Sequence, residues 1–433
     1  MSMLQIIYKK RDGGILTERD ISYWIEGAVR GEVPDYQSAA LLMAIYFRGL
    51  NRQETFLLTD VMRRSGDIVD LTSISGIKVD KHSSGGVGDK TTLITGPLVA
   101  ACGVPVAKMS GRGLGFSGGT IDKLESIPGF RTTMTEKEFT DQINRVGLAV
   151  IGQTKNIAVA DKMLYGLRDV TGTVENVSLI ASSIMSKKLA SGSDAIVLDV
   201  KWGRGAFMEN PQDAAELGRL MVDIGGQAGK KMVALITNMD QPLGEAVGNS
   251  LEVVEAIDVL KGKGPEDIRE LSLRLAAFMV YCGGRSKTPE DGYAMVKDVL
   301  DSGKGLDRFR EFVKAQGGLT EIIEDSHCFG QPEKTVLLLA PQEGYITDVH
   351  GGLIGRASQM SGAGRQTMED RIDPLAGIFL HKKKGDRVCK GDVLARVFGC
   401  EEKVERALLL IGEAFTIGGK NPEGDPLIYD IIM

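Results

Sequence analysis

The sequence predicts an α/β chain in three parts. These are a small discontinuous all-α unit, a larger α/β unit on a mostly parallel sheet, and a carboxyl-terminal α+β unit. Three observations carry the prediction. The first 66 residues show helical spacing with capping signals and no strand pattern. From residue 77 short apolar runs alternate with glycine loops and helical stretches, the signature of a parallel sheet. Near residue 331 the texture turns to short strands and tight turns. Length agrees, since 433 residues correspond to roughly three domains.

Taken in order, Thr17-x-x-Asp20 resembles a capping box, opening a helix with Ile21, Trp24, Ile25 and Ala28 on one face. Pro34 and Asp35 start a second helix, with Ala39, Ala40, Met43, Ile45 and Phe47 as its apolar set. Asn51-x-x-Glu54 caps a third, and Gly66 ends it. Ile77–His82 reads as a strand, followed by glycines and an apolar helix from about Lys90. Val104–Met109 is a second short strand, followed by glycines and a helix from Thr120 to Ile127. Leu148–Ile151, Ala195–Val200 and Met232–Thr237 read as further buried strands. Leu164–Ser191 is helical again and is expected to pack on the amino-terminal helices. The domains are therefore residues 1–66 plus about 162–192, then about 67–161 plus 193–330, then 331–433 after a linker near Gly330–Pro332. In the last part Val336–Leu339, Gly344–Val349 and Ile378–Val397 favour strands.

Composition narrows the function. Apolar residues at 42% suffice for more than one core, and charged residues at 25% are ordinary for a globular chain. A net charge of −6 argues against electrostatic nucleic-acid binding. No signal peptide is visible in Met1–Lys10, and the longest uncharged stretch, Thr91–Ala107, is too short and too interrupted to span a bilayer. Cys102, Cys282, Cys328, Cys389 and Cys400 are odd in number and never spaced as a metal or disulfide motif, so they read as thiols of a reducing cytosol. His82, His327, His350 and His381 are scattered, which argues against a multi-histidine metal site. Glycine is the outlier: 55 residues, about 13% of the chain against a background of roughly 7%.

The glycines fall in two loops. Lys81-His82-Ser83-Ser84-Gly85-Gly86-Val87-Gly88-Asp89-Lys90-Thr91-Thr92 lies between a strand and a helix. Glycines let the backbone approach a ligand closely, and a helix amino terminus aims free N–H groups at it. Lys81, Ser83 and Thr92 add donors suited to an oxyanion. A Walker A loop does not fit, because its Gly-Lys-Ser/Thr ending is absent. Lys108-Met109-Ser110-Gly111-Arg112-Gly113-Leu114-Gly115-Phe116-Ser117-Gly118-Gly119-Thr120 repeats the arrangement after the second strand. Two such loops at the carboxyl ends of strands in one sheet converge on one anion.

Lys81–Asp89 and Ser110–Glu125 resemble the pyrimidine-nucleoside phosphorylase and thymidine phosphorylase family. The resemblance runs over essentially the whole chain, and the run SGRGLGFSGGTIDKLESIPG (110–129) is highly specific. It implies a pentosyltransferase that converts a pyrimidine nucleoside and inorganic phosphate to free base and pentose 1-phosphate. Phosphate is then the nucleophile, so no catalytic carboxylate pair is needed, and orientation and electrostatics carry the catalysis. It also implies a homodimer with the amino-terminal helices as its surface, a cleft that closes on substrate, and no organic cofactor.

By resemblance, Lys81, His82, Ser83, Thr92, Lys108, Met109, Ser110 and Thr120 line the phosphate and sugar side, and Arg168, Ser183 and Lys187 the base side. Ser183 and Lys187 are four apart and share a helix face. On spacing alone Arg168 and Lys187 read as exposed helix charges. His82 titrates near pH 6.5 when unperturbed, and it is assigned as proton donor to the pyrimidine O2. Lys108 is expected to donate to a ribose 2′-hydroxyl while its charge favours phosphate. Uridine, deoxyuridine and thymidine are the expected substrates, cytidine is excluded by its exocyclic amine, and a thymidine-restricted phosphorylase is the near alternative. A potassium ion is implied at Gly88, Lys90, Leu243, Ala246 and Glu255, mostly through backbone carbonyls. Lys90 departs from the small or neutral residue of many relatives, Phe116 stands where relatives often have histidine, and Ser84 replaces the usual threonine.

Two other readings compete. An anthranilate phosphoribosyltransferase-like enzyme shares a related fold, but needs magnesium and an acidic pair that is not evident. Lys383–Leu394 resembles a stretch of lipoyl or biotinyl hammerhead domains, yet no Met-Lys-Met-like acceptor turn is present. That stretch therefore reads as structural rather than as a carrier module.

Overall fold

The computed structural model describes residues 1–433 apart from 114, 115, 117, 155 and 366–369. Leu114, Gly115 and Ser117 of the second glycine loop thus lie outside the described residues.

Four helices come first: α1 (Met3–Arg11), α2 (Glu18–Val29), α3 (Asp35–Arg48) and α4 (Arg52–Arg64). Reciprocal capping boxes start α2 at Thr17/Asp20 and α4 at Asn51/Glu54, and a third at Ser2/Gln5 starts α1. Ile21, Trp24, Ile25 and Ala28 are buried, as expected. On α3 the expected apolar set is divided between two sides of the helix. Ser38, Leu41, Leu42 and Ile45 are buried, while Ala40, Met43 and Phe47 face solvent. The helix is apolar on both sides, so periodicity alone does not choose one.

The central part runs β1 (Val79–Ser83), α5 (Thr91–Ala101), β2 (Val106–Ser110), α6 (Thr120–Glu125), α7 (Glu136–Val146), β3 (Leu148–Gly152), α8 (Val159–Thr171), α9 (Val177–Ala190), β4 (Ala195–Trp202), α10 (Pro211–Gln227), β5 (Lys231–Asn238), β6 (Ala246–Gly248) and α11 (Asn249–Leu260). β1, β4 and β5 are parallel neighbours, and β2 pairs in parallel with β3. A single bond from Val79 N to Pro105 O, 3.0 Å, joins the start of β1 to the start of β2. Helices α8 and α9 return to the amino-terminal bundle, where Ala160, Leu164 and Leu179 share a core with Ile21, Trp24 and Leu42.

Helices α12 (Glu266–Cys282), α13 (Pro289–Asp301) and α14 (Lys304–Ala315) complete the central core. The remainder holds β7 (Lys334–Leu339), β8 (Gly344–Val349), α15 (Gly351–Ser358), β9 (Gly377–Leu380), β10 (Arg387–Val388), β11 (Val393–Gly399), α16 (Glu401–Ala414), β12 (Phe415–Gly418) and β13 (Ile428–Ile432). Here the expected division at residue 331 needs correcting in two places. β13 returns to the central sheet and pairs antiparallel with β5. In exchange β6 leaves the central part and pairs with β9 in the sheet β6-β9-β11-β7. The two parts therefore interlock through strands, which contiguous sequence blocks do not reveal. Among the described residues no helix is long and apolar enough to cross a membrane, and all five cysteines are free thiols.

Candidate active site

Both glycine loops lie at the carboxyl ends of their strands, and three buried lysines fasten them together. Lys108, on β2, donates to the Lys81 carbonyl on β1. Lys188, on α9, donates to Asp80 at 2.8 Å and to the Met109 carbonyl at 3.0 Å. Lys123, on α6, donates to the Asp89 carbonyl at 2.7 Å and pairs with Glu252 at 2.8 Å. The first loop is tight enough to require glycine at residue 88, where φ is +78° and a Cβ would lie 2.5 Å from the Leu243 carbonyl oxygen. The second requires it at residue 119, where a Cβ would meet Gly113 N at 2.1 Å.

Lys81 points into a buried network. Its ammonium lies 3.1 Å from Asp199, 3.7 Å from Asp89, and bonds the Thr91 hydroxyl. Asp199 in turn accepts from Lys201 at 3.0 Å and from Thr237 at 2.6 Å. Thr91 and Thr92 open α5, so the positive end of the helix faces the same loop, with the Thr91 N–H donating to Asp89 at 3.2 Å. Around β1 the charges are five lysines (Lys81, Lys108, Lys187, Lys188, Lys201) against four aspartates (Asp80, Asp89, Asp161, Asp199). With Lys108 protonated, one positive charge is left over in a largely buried setting. That excess suits an anion.

The base-side residues come together with this cluster. Lys187 donates to Asp161 at 2.6 Å and to Ser183 at 3.3 Å, along one face of α9 as the spacing predicts. Its charge reaches His82. Arg168 is 3% exposed, so it is not the surface charge that spacing alone suggests. Its guanidinium donates to the carbonyls of Thr173 (3.1 Å), Leu179 (3.1 Å) and Val174 (2.5 Å), which ties the α8–α9 connection to the start of α9. Three of its five N–H groups are thereby used.

Two titrations also differ. Burial, and then the charges of Lys188, Lys108, Lys81 and Lys187, hold His82 well below its ordinary value. Among the described residues its buried Nε2 has no hydrogen-bond partner. The charged form of the ring is therefore disfavoured in the free protein. Lys108 is buried, with Asp80 at 3.5 Å and the Lys81 carbonyl as partners. Burial outweighs the Asp80 charge and lowers it to about 7.

The remaining expected residues fall where the loops require. The Ser83 hydroxyl accepts from Gly85 N at 3.1 Å, Ser110 ends β2, and Thr120 opens α6. Phe116 packs on the carboxyl-terminal core against Gly355, where a Cβ would meet its ring at 2.7 Å. The five expected potassium positions also converge, but the ammonium of Lys90 stands among them. It donates to the carbonyls of Leu243 (3.1 Å) and Ala246 (2.8 Å) and to the Glu255 carboxylate. With that ammonium in place the set does not fit a metal ion. A groove lined by Phe56, Arg63, Lys78, Asp194 and Lys230 opens at the amino ends of β1 and β4, away from both glycine loops.

Sequence reasoning missed Asp80, Asp89, Thr91, Asp161, Lys188, Asp199, Lys201 and Thr237. A signal was present. Val79-Asp80-Lys81 and Leu198-Asp199-Val200-Lys201 place charges inside otherwise apolar parallel strands, where an unpaired charge is costly. Such charges must be paired, and paired charges in two adjacent strands mark a site.

Comparison with known proteins bears on the family and the domain layout. Residues 75–306 match the glycosyl transferase family α/β domain, 4–66 its helical bundle domain, and 345–418 the pyrimidine nucleoside phosphorylase C-terminal domain. The chain is 50% identical over 432 residues, and 100% of both chains, to a pyrimidine-nucleoside phosphorylase of Geobacillus stearothermophilus. It is 49% identical over 432 residues, again 100% of both, to one of Bacillus subtilis strain 168. Among solved structures, an anthranilate phosphoribosyltransferase of Thermus thermophilus superposes with a TM-score of 0.58 at 19% identity, covering 72% of this chain and 99% of that one. That likeness is one of fold.

Proposed function

This chain belongs to the pyrimidine-nucleoside phosphorylase family within the glycosyl transferases, and from that membership we infer that it cleaves pyrimidine nucleosides with inorganic phosphate. A phosphate oxygen attacks C1′ of the pentose, the N-glycosidic bond breaks, and its electron pair leaves on the pyrimidine. The observation that carries the reading is the buried lysine cluster at the ends of β1 and β2. All four aspartates there are paired with lysines. Asp89 is held well below the usual carboxylate range, with Lys81, Lys201 and Lys123 outweighing its burial. Base release from uridine or thymidine is expected to require phosphate, with arsenate as a substitute. Equal rates in phosphate-free buffer would point to a hydrolase and sink the reading.

Lys108 links phosphate binding to protons. Lowered to about 7, it is largely neutral in the free protein at about pH 8, and a bound anion draws it back to the charged form. Binding of phosphate at about pH 8 is therefore expected to take up protons, and little uptake at Lys108 is expected at about pH 6. Calorimetry in two buffers of different ionisation enthalpy measures this. Lys108→Met should remove up to about one proton of the uptake at the higher pH. Because the group is enclosed, the same change should lower kcat/KM for uridine and thymidine alike. A larger loss for uridine would restore a direct contact to the 2′-hydroxyl. Uridine, deoxyuridine and thymidine remain the proposed substrates.

The exposed side of α3 supports a homodimer. Tyr36 and Phe47 are 74% and 77% exposed, and Met43 lies between them. On α1, Leu4 and Tyr8 are also exposed. An apolar stripe of this kind on a helix bundle is a surface for association. Sedimentation is expected to show one species of twice the chain mass, and Phe47→Asp to shift it to the monomer. A wild-type monomer at micromolar concentration would refute the assignment.

A further inference from the structure

Lys90 caps α5, yet its side chain leaves the phosphate loop and enters the gap beneath the turn at 243–246. It is 1% exposed. Its ammonium has three protons and three acceptors: the carbonyls of Leu243 and Ala246, at 3.1 and 2.8 Å, and one oxygen of Glu255. The second oxygen of Glu255 accepts the backbone N–H groups of Glu245 at 2.8 Å and Ala246 at 3.1 Å. Every donor and acceptor is thus used. The enclosure is close on all sides, since a Cβ on Gly244 would lie 2.2 Å from Glu255 and 3.0 Å from the ammonium.

A cage of carbonyl oxygens with one carboxylate is what a potassium ion requires, and a lysine ammonium makes the same demand. The two cannot share it. A second cation beside the first would meet its repulsion in a medium that screens poorly. We propose that Lys90 is the resident cation of this cage, covalently supplied, and that the protein needs no potassium ion there. The tether joins α5, which presents the anion loop, to the turn that leads into β6 and so to the carboxyl-terminal sheet. From the opposite side Lys383 holds the same turn through Pro242 O at 2.7 Å and Gly244 O at 3.0 Å. The turn is thereby fixed between two lysines, one from each part of the chain.

Thermal unfolding of the full-length protein in potassium, sodium or choline chloride at equal ionic strength tests this without reference to activity. The wild-type Tm is expected to agree across the three salts to within roughly 1 °C. Lys90→Thr opens the cage, and its Tm in choline chloride should fall by about 5–10 °C, as for breaking a buried ion pair, and recover in potassium chloride. Lys90→Met keeps the chain but not the charge, so its Tm should fall and stay down in every salt. A wild-type Tm raised by potassium alone would overturn the proposal. So would a Lys90→Met protein as stable as wild type, or a Lys90→Thr protein indifferent to potassium. If Lys90→Thr does not fold, crystals of the wild type soaked in a thallous salt decide. Anomalous density between the 243 and 246 carbonyls refutes the proposal, and none there supports it.

Discussion

Replacing His82 with alanine is expected to lower kcat by about 10²–10⁴, the range for losing a general acid, while phosphate KM changes little. His82 stands on β1 directly after Lys81, and burial together with Lys188, Lys108, Lys81 and Lys187 disfavours its charged form. A bound phosphate dianion reverses the electrostatic part of that balance. The imidazolium is then expected to become accessible only once the nucleophile is present, which would time proton donation to the departing base by phosphate binding. The signature is a ring titration that moves upward when phosphate is added, read by NMR on the free and phosphate-bound protein. Among the described residues nothing hydrogen-bonds Nε2, so His82→Ala strands no partner there and should keep a Tm close to wild type, which separates lost chemistry from lost structure. His82→Asn should recover little of kcat if transfer of a proton matters more than a hydrogen bond. A less than tenfold loss in both variants would leave the lysines alone to stabilise the leaving group.

What the sequence makes legible here is local. Capping boxes at Thr17 and Asn51 depend on residues three apart, and both are present. The strand–glycine loop–helix units at 79–101 and 106–125 are equally local. The expectation that both loops end strands of one sheet does not hold, since β1 pairs with β4 and β2 with β3 in separate sheets; Lys108 and Lys188, which bridge β1 and β2, bring the loops together. What escapes depends on distance along the chain. β13 pairs with β5 across some 190 residues, and its short alternating run carries no mark of its partner. The exposed side of α3 reads as buried because Leu41 and Leu42 are matched on the far side by Met43 and Phe47. Lys90 is visible as a departure from its relatives, but only its reach to Leu243, Ala246 and Glu255 shows what the departure does. The buried aspartates escape a reading that weighs strand Ala195–Trp202 by its apolar residues, when its two charges carry the information.

Removing the charge of Lys187 is expected to lower kcat/KM by about 10²–10³, as for losing one preorganised donor to a developing anion, with phosphate binding largely retained. Lys187 is partly open, at 27% of its side chain. Two of its protons are held by Asp161 and Ser183, leaving one for the pyrimidine. Alanine alone would strand the buried Asp161 carboxylate, so the informative variant is Lys187→Met combined with Asp161→Asn. Arg168 separates from it by mechanism. Its contacts to the carbonyls of Thr173, Val174 and Leu179 make it a positioning group for the start of α9, the helix that carries Ser183 and Lys187. Arg168→Ala should therefore lower Tm as well as kcat/KM. Arg168→Lys should rescue neither fully, because one ammonium cannot span three carbonyls set out for a planar fork. Should Arg168→Ala lose kcat/KM at an unchanged Tm, its two remaining N–H groups act on the base directly. Should the Lys187 double variant keep wild-type kcat/KM, the base lies elsewhere, since no other lysine on the solvent-facing side of α9 is placed to replace it: Lys188, the adjacent residue, is already committed to Asp80 and the Met109 carbonyl.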